Sequence, residues 1–264
     1  MAEKRVAPRQ GKTAGVVKAS QPGSKRGFYI LIAVVAVAGI GALSYLSGQS
    51  KKSAAIAIDP NLPPVTSQGY VIGSPSAPLE VMEFGDLECP ACNQFAEITE
   101  PDVRAQLVNT GKIRFRFIDF LILSAHRNTL NASVAAACAD EQGRFWQLHD
   151  ILYAKQDEWN GEATSNPDRV IKALAHGIPG LNAPKFDQCL DSRQTLPRVQ
   201  AHMKLGEERG VHGTPTFIIG SKMYGNMGID QFKQAVNEAL AAGDTAKASA
   251  TRGAGPTGKS TKKP

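Results

Sequence analysis

The feature that most limits the possible folds is a pair of cysteines placed between a strand pattern and a helix pattern. Residues 79–84 alternate between apolar and polar side chains, which predicts a strand, and a short loop leads from them into Cys89-Pro90-Ala91-Cys92. Pro90 suits the first turn of a helix, and the apolar spacing after it predicts a helix with a kink at Pro101. Residues 112–118 alternate again, so the segment forms a βαβ unit with parallel strands.

The rest of the folded part is a helical block followed by further strand patterns. Residues 124–205 show helical periodicity and contain no strand pattern. Strand patterns return between residues 214 and 224, and an amphipathic helix over 229–240 follows them. We therefore predict an α/β domain formed by residues 67–123 and 206–242, with a helical insertion at 124–205 between its two halves.

A run of 19 residues without a charge, 28–46, precedes this domain. About 20 apolar residues cross a hydrocarbon core of about 30 Å, whereas the apolar region of a cleavable signal peptide is usually about 7–15 residues. No Ala-x-Ala site lies between the run and the polar stretch 47–52, so we predict an uncleaved transmembrane anchor; a removed signal peptide and a buried soluble helix are the alternatives. The seven basic residues of the tail 1–27 predict that this tail stays in the cytoplasm and that the chain after residue 46 is exported.

The net charge of +6 is a property of the two ends of the chain. Residues 1–27 contain seven basic residues and one acid, and residues 243–264 contain five and one, whereas residues 28–242 contain 18 basic and 22 acidic residues. The basic isoelectric point therefore does not indicate a nucleic-acid partner. We predict a proline-containing linker at 47–66 and a disordered basic tail at 243–264, because neither composition can form a packed core.

Two cysteines separated by two residues at the start of a helix suit redox chemistry. The unpaired N–H groups and the positive end of the helix dipole stabilise a thiolate on the first cysteine. A stabilised thiolate is a good leaving group, which makes the disulfide an oxidant. We therefore predict that Cys89 is the sulfur attacked by a client thiol and that Cys92 is the buried resolving thiol. The reactive group is then the Cys89–Cys92 disulfide itself, and no cofactor is expected.

These residues resemble the DsbA-like branch of the thioredoxin superfamily, thiol:disulfide oxidoreductases of the bacterial cell envelope, over residues 67–242. The resemblance rests on the strand before the cysteines, the Cys-x-x-Cys motif, the helical insertion and Gly213-Thr214-Pro215-Thr216-Phe217. It implies a thioredoxin-like fold with an inserted helical subdomain. It also implies that Pro215 is a cis-proline, that Thr214 lies against the sulfurs, and that Glu83 is a buried acid relaying a proton for Cys92.

The resemblance implies an enzyme that introduces disulfide bonds into reduced or unfolded exported proteins through a mixed disulfide with Cys89. It implies a single-pass protein of the bacterial inner membrane with its domain facing the periplasm. A membrane quinone-linked partner, DsbB-like or VKOR-like, would reoxidise it. The Pro-Ala dipeptide lacks the histidine of Cys-Pro-His-Cys members, and Thr214 matches isomerase-type members, so an isomerase or reductase is one alternative. A non-catalytic envelope chaperone or interaction module is another.

Two further cysteines, Cys138 and Cys189, lie in the helical insertion. An oxidising compartment favours a structural disulfide between them over two free buried thiols. Together with Cys89 and Cys92 they could in principle bind zinc. Structural zinc sites usually present a second close pair, however, and these two cysteines are 51 positions apart, so no metal is expected.

A cysteine hydrolase is a further possibility, with Cys89 as nucleophile and a histidine as base. The candidate bases are His126, His149 and His212. A hydrolytic cysteine has no use for a second cysteine three residues later, so this hypothesis is disfavoured. His212 precedes Gly213-Thr214-Pro215 closely enough to approach the site, although an ordinary loop histidine is the favoured interpretation.

Overall fold

The computed structural model describes residues 26–48, 56–57 and 69–253, with side chains described for 27–41 and 69–243. The chain divides into two compact units, Met1–Lys52 and Ser53–Pro264. Residues 1–25 of the predicted basic tail lie outside the described residues, as does most of the predicted linker.

The described part of the first unit is helix α1 (Arg26–Gly48). It covers the uncharged run, so the helical conformation expected for residues 28–46 is confirmed. The transmembrane span predicted there is not shown. Among the residues that the structure describes, no helix combines the length and the apolar content needed to cross a membrane.

The second unit is built on one six-stranded mixed sheet. Its strands are β1 (Ile56–Ala57), β2 (Tyr70–Ile72), β3 (Leu79–Gly85), β4 (Ile113–Asp119), β5 (Thr216–Ile219) and β6 (Lys222–Tyr224). They lie in the order β1-β6-β5-β3-β4-β2, with β3 and β4 parallel as predicted and all other neighbours antiparallel. Strands β1 and β2 were not predicted, and β1 lies inside the predicted linker. Two or three residues are too few to show an alternating pattern.

A bent helical segment connects the parallel strands β3 and β4. It consists of α2 (Pro90–Gln94), a π-helical turn (Phe95–Thr99), α3 (Glu100–Val103) and a second π-helical turn (Arg104–Val108). The first π turn lies just before Pro101, where the N–H of Glu100 donates to the carbonyl of Phe95, five residues back. This places the irregularity where a proline was expected to disturb the helix.

Six helices lie between β4 and β5. They are α4 (Thr129–Asp140), α5 (Phe145–Ala154), α6 (Gln156–Trp159), α7 (Pro167–His176), α8 (Ala183–Asp191) and α9 (Leu196–Glu208). Their shared apolar core includes Leu148, Trp159 and Phe186, and the same cluster contains Cys89 and Cys92. The cysteine pair therefore lies where the helices pack against the sheet.

A disulfide bond joins Cys138 in α4 to Cys189 in α8. It closes a loop across a sequence separation of 51. In the chain-entropy model a loop of this length stabilises the folded state by about 4 kcal/mol. Because these two sulfurs are bonded to each other, they do not complete a four-cysteine zinc site with Cys89 and Cys92, which are free thiols.

The last described element is helix α10 (Ile229–Gly253). The sequence predicted that the chain becomes disordered at residue 243, and this is wrong for residues 243–253, which continue the helix. These residues include several alanines and a lysine, which have high helix propensity, so an existing helix can extend through them. Residues 254–264 of the predicted tail lie outside the described residues.

The alternation along β3 decides where its side chains are buried. Val81 packs in one apolar cluster with Phe232 of α10, whereas Phe84 packs in another with Leu205 of α9. Glu83 follows Val81 by two positions, so it points to the same face of the sheet as Val81. It is only 2% exposed. The fold thus buries a carboxyl group six residues before Cys89.

Candidate active site

Cys89 and Cys92 occupy the first turn of α2. Cys89 is the residue that caps the helix, with extended backbone angles, and its N–H donates to the carbonyl of Asp86 at 3.0 Å. Pro90 takes the first helical position, where its missing N–H leaves no hydrogen bond unmade. Cys92 is fully buried one turn further on, while Cys89 keeps 7% of its surface exposed. The first sulfur is therefore the one that solvent can reach.

Thr214 and Pro215 lie beside the first sulfur. The pairing of Phe84 with Thr216 brings the start of β5 to the end of β3, from which the chain runs to Cys89. The peptide bond between Thr214 and Pro215 is cis. The Cys89 thiol donates a hydrogen bond to the carbonyl oxygen of Thr214 at 3.6 Å. The buried Thr214 hydroxyl finds no partner among the described residues, so it is available to donate to a thiolate.

The two thiols have opposite acid strengths. The pKa of Cys89 falls to about 5, chiefly because the Cys92 thiol donates a hydrogen bond to the Cys89 thiolate. Burial opposes this shift, and hydrogen bonds from Thr214 and from the backbone N–H groups of Cys92 and Ala91 add to it. Burial raises the pKa of Cys92 well above its usual value, and the Cys89 thiolate and the charge of Glu83 raise it further. At neutral pH the reduced pair therefore carries one thiolate, on Cys89.

Glu83 lies behind the cysteine pair as the resemblance implies. Burial raises its pKa well above the usual range, and the negative charges of Glu100 and Cys89 act in the same direction, against the attraction of Arg104. A carboxyl group kept protonated in this way can give a proton to a neighbouring thiolate. Its Oε2 atom has no hydrogen-bond partner among the described residues.

Asp86 holds the loop before Cys89 in place. Its side chain is fully buried, and its two oxygens accept from four groups: Glu88 N–H at 2.8 Å, Ile122 N–H at 2.8 Å, the Thr129 hydroxyl at 2.5 Å and His126 Nδ1 at 2.7 Å. Three of these groups come from the loop between β4 and α4 and from the first residue of α4. The carboxylate thus fastens the cysteine loop to the helical insertion.

Glu88 makes a second connection of the same kind. Its carboxylate accepts the N–H groups of Asn128 and Gly161, both at 2.6 Å. In addition, the Tyr153 hydroxyl donates to the carbonyl of Asp86 at 3.2 Å. A buried charge with several hydrogen bonds resists displacement, because breaking them leaves it unpaired. The position of Cys89 therefore depends on contacts of the preceding loop with residues 40 to 73 positions away in sequence.

His126 lies at the edge of this network. The sequence suggested it as a hydrolase base, but the structure pairs it with Asp86. This hydrogen bond raises the pKa of His126, and the charges of Asp86 and Cys89 raise it further, against the effect of burial. Because a charge interaction is reciprocal, the His126 imidazolium stabilises the Cys89 thiolate in turn. His126 can thus supply a positive charge that the Pro-Ala dipeptide lacks.

Replacing His126 by glutamine is expected to raise the pKa of Cys89 by up to about one unit, because one favourable charge is removed from the thiolate. Thiolate absorbance of the reduced protein, followed against pH, measures this value. His212→Gln is the matched control, because His212 is exposed and close in sequence to Thr214. An unchanged Cys89 pKa in His126→Gln would show that the imidazolium does not act on the sulfur.

The two other histidines suggested as hydrolase bases lie in different surroundings. His149 is buried and lies against the Glu100 side chain, whereas His212 is exposed. Asp86, Glu88 and Glu100 were not singled out from the sequence, since acids in loops and helices look like ordinary surface residues until their burial is known. Among the described residues, no group of three or more His, Cys, Asp or Glu side chains could hold a metal ion.

Comparison with known proteins places this arrangement in a family. A family model described as Thioredoxin matches residues 66–238. The Na(+)/H(+) antiporter NhaA 3 of Salinispora tropica is 32% identical over 185 residues, which is 70% of this chain and 26% of that protein. The Bacillus anthracis protein named "Probable disulfide bond formation protein D" is 24% identical over 173 residues, 64% of this chain and 77% of that protein.

The fold is also found among solved structures. Wolbachia pipientis alpha-DsbA1 superposes with a TM-score of 0.58 at 20% identity, covering 70% of this chain and 96% of that one. The chain spans only about a quarter of the length of the antiporter relatives that it matches. The family model, in contrast, covers most of the chain, including the cysteine pair and the cis-proline. The chain therefore belongs to the thioredoxin family, and its fold is DsbA-like.

Proposed function

We propose that this protein is a protein disulfide oxidoreductase that introduces disulfide bonds into other proteins. The observation that carries the proposal is the difference in acidity between the two thiols. The pKa of Cys89 is lowered to about 5, while the pKa of Cys92 is raised. A dithiol stabilised as a thiolate is a weak reductant, so the corresponding disulfide is an oxidant. The name of the Bacillus anthracis relative agrees with this chemistry.

The reaction follows from the exposure of the two sulfurs. A client thiolate attacks the Sγ of Cys89, the bond between the two cysteine sulfurs breaks, and a mixed disulfide between client and Cys89 forms. Cys92 leaves as a thiolate and takes a proton from Glu83. A second client thiolate then attacks the client sulfur, and Cys89 leaves as a stabilised thiolate. The client has lost two electrons as a new disulfide, and the Cys89–Cys92 pair has gained them.

Thr214 is the proposed contact for the client backbone. Its carbonyl accepts the Cys89 thiol, so the backbone at this point lies within reach of any chain bonded to Cys89. An extended client segment could pair there by β-strand addition, which recognises backbone and tolerates many sequences. Such recognition suits an enzyme that acts on unfolded clients.

The location and the recycling partner are proposed from the sequence. The uncharged run 28–46 and the seven-base tail before it support a membrane anchor, with the catalytic domain on the exported side. In an oxidising compartment the clients would be newly exported, reduced proteins. An anchored domain would be close to a quinone-linked membrane partner, DsbB-like or VKOR-like, that reoxidises the Cys89–Cys92 pair.

The proposal is tested with the oxidised protein and a reduced, unfolded client that contains native disulfides. We expect client thiols to disappear as Cys89 and Cys92 become reduced, at a rate well above that with glutathione disulfide alone. A parallel sample holds the same client with scrambled disulfides. Faster recovery of the scrambled client than of the reduced client would favour the isomerase alternative, and no effect on either would favour a non-catalytic module.

A further inference from the structure

Three buried polar atoms behind the cysteine pair have no hydrogen-bond partner among the described residues. They are Glu83 Oε2, Glu100 Oε2 and His149 Nε2. They belong to three different elements, β3, α3 and α5. Leaving a buried polar atom unpaired destabilises the folded state, so three such atoms indicate a role beyond folding.

The first two of these groups are electrostatically linked. After burial, the charge of Glu100 is the largest cause of the raised pKa of Glu83, so the two buried carboxyl groups lie within range of each other's charge. Glu100 is 1% exposed. Its Oε1 atom accepts from Arg104 Nε at 2.8 Å, which leaves Oε2 as its free atom. A proton shared between the two carboxyl groups would lower their mutual repulsion.

The second and third groups point at each other. Glu100 Oε2 lies 4.0 Å from His149 Nε2, so a small movement of either side chain makes a hydrogen bond. His149 is 1% exposed, and its ring lies edge-on to Phe117, Trp146 and Tyr153 with centroids 4.9–5.2 Å away. This packing holds the ring with Nε2 towards Glu100.

The other nitrogen of the same ring faces the surface. His149 Nδ1 lies 2.8 Å from Asp150 Oδ1, and the Asp150 side chain is 51% exposed. Arg104 donates to both Asp150 oxygens at 2.7–2.8 Å, and its Nη2 lies 3.5 Å from His149 Nδ1. Asp150 and Arg104 line a surface cavity of about 220 Å³ together with Tyr153 and Glu97. The imidazole thus joins the buried acids to a solvent-filled opening.

We propose that Glu100 and His149 form a proton path that connects Glu83, and through it Cys92, to solvent at Asp150. The proposal rests on the proposed disulfide oxidoreductase function and assigns two relay residues to it. Neither residue touches the sulfurs. They act by restoring the proton that Glu83 gives away in each turnover.

The path operates when Cys92 becomes the leaving group. The Cys92 thiolate takes the proton of Glu83, leaving a carboxylate in the protein interior. His149 passes a proton from Nε2 to the free Oε2 of Glu100, and Glu100 passes a proton on to Glu83. The ring then gains a proton at Nδ1 from solvent, relayed by the Asp150 carboxylate. One proton enters from solvent for each Cys92 thiol formed, and the reverse sequence releases it on reoxidation.

The test is single-turnover reduction of the oxidised full-length protein by dithiothreitol, followed against pH. His149→Gln and Glu100→Gln are expected to slow this step roughly 10-fold at neutral pH, less than the ~100-fold lower bound for losing general acid–base catalysis outright. Added imidazole should restore part of the rate in His149→Gln. Asp150→Asn is expected to slow the reduction by a smaller factor. Because Asp150 is exposed, this variant still tests the path if a variant in the core does not fold.

Two controls separate a relay from a structural effect. His202→Gln alters an equally buried histidine, bonded to Asp119 at 2.7 Å, and should keep the wild-type rate. Alkylation of Cys89 in reduced His149→Gln should also be unchanged, because this reaction transfers no proton to or from Cys92. Wild-type rates and pH dependence in the folded His149, Glu100 and Asp150 variants would overturn the relay alone. Failure of the wild-type protein to oxidise clients would instead overturn the proposed function.

Discussion

Replacing Cys89 by serine is expected to abolish client oxidation completely, and replacing Cys92 by serine is expected to trap the client covalently. In Cys89→Ser the reachable sulfur of the redox pair is gone, because Cys92 is fully buried. In Cys92→Ser the Cys89 thiolate, which keeps 7% of its surface accessible, still attacks an oxidised client, but the resolving thiol is missing. A mixed disulfide should therefore accumulate, seen as a reductant-sensitive shift on a non-reducing gel.

The matched control removes the other two cysteines. The double variant Cys138→Ser/Cys189→Ser loses about 4 kcal/mol of stability in the chain-entropy model but keeps the redox pair, so it should still oxidise clients at temperatures where it is folded. Full activity of Cys89→Ser would refute the assigned roles. An unchanged cellular phenotype of Cys89→Ser would favour the chaperone alternative.

The second large expected effect concerns the free energy of unfolding. The reduced protein is expected to gain stability relative to the oxidised protein as the pH rises. The pKa of Cys89 is about 5 in the folded state, against about 8.5 in an unfolded chain. A lowered folded-state pKa stabilises the folded form above the unfolded pKa, and this contribution is lost as pH falls towards 5. It amounts to at most about 3 kcal/mol at pH 7 and about 5 kcal/mol above pH 8.5. Below about pH 8, Cys92 is protonated in the folded state, because its pKa is raised, and largely protonated in the unfolded chain, so it adds little slope.

Urea unfolding of the reduced and oxidised proteins between pH 5 and 8 measures this contribution. The difference in unfolding free energy is expected to shrink by up to about 1.4 kcal/mol for each pH unit of acidification. The oxidised protein serves as the internal control, because its Cys89 does not titrate. A difference that stays constant with pH would mean that Cys89 is not a stabilised thiolate.

The Cys-x-x-Cys motif and the strand and helix around it could be predicted, because each depends on residues that are close together in sequence. A strand, a helix start and two cysteines lie within residues 79–92, and each element shows in residue type and spacing alone. The position of Pro215 beside Cys89 came only from the family resemblance. The extension of α10 to Gly253 was missed because a composition that resembles a disordered tail can also continue a helix.

The supporting residues of the site could not be predicted, for a physical reason. Asp86 and Glu88 precede Cys89 in sequence but act on groups 36 to 73 positions away. Their roles depend on their being buried. Whether a residue is buried follows from how the helices and strands pack together, and it cannot be read from the residue type alone. His149 likewise shows no motif, and only its 4.0 Å approach to Glu100 suggests its role.

The reduction potential of the Cys89–Cys92 pair tests the account most directly. It is measured by equilibrating the protein in glutathione redox buffers and quantifying the reduced fraction. Stabilisation of the Cys89 thiolate predicts an oxidising value between about −180 and −120 mV, the range of protein disulfide isomerase and DsbA. A value as low as that of thioredoxin, about −270 mV, together with no oxidation of reduced clients, would contradict the proposed oxidase function.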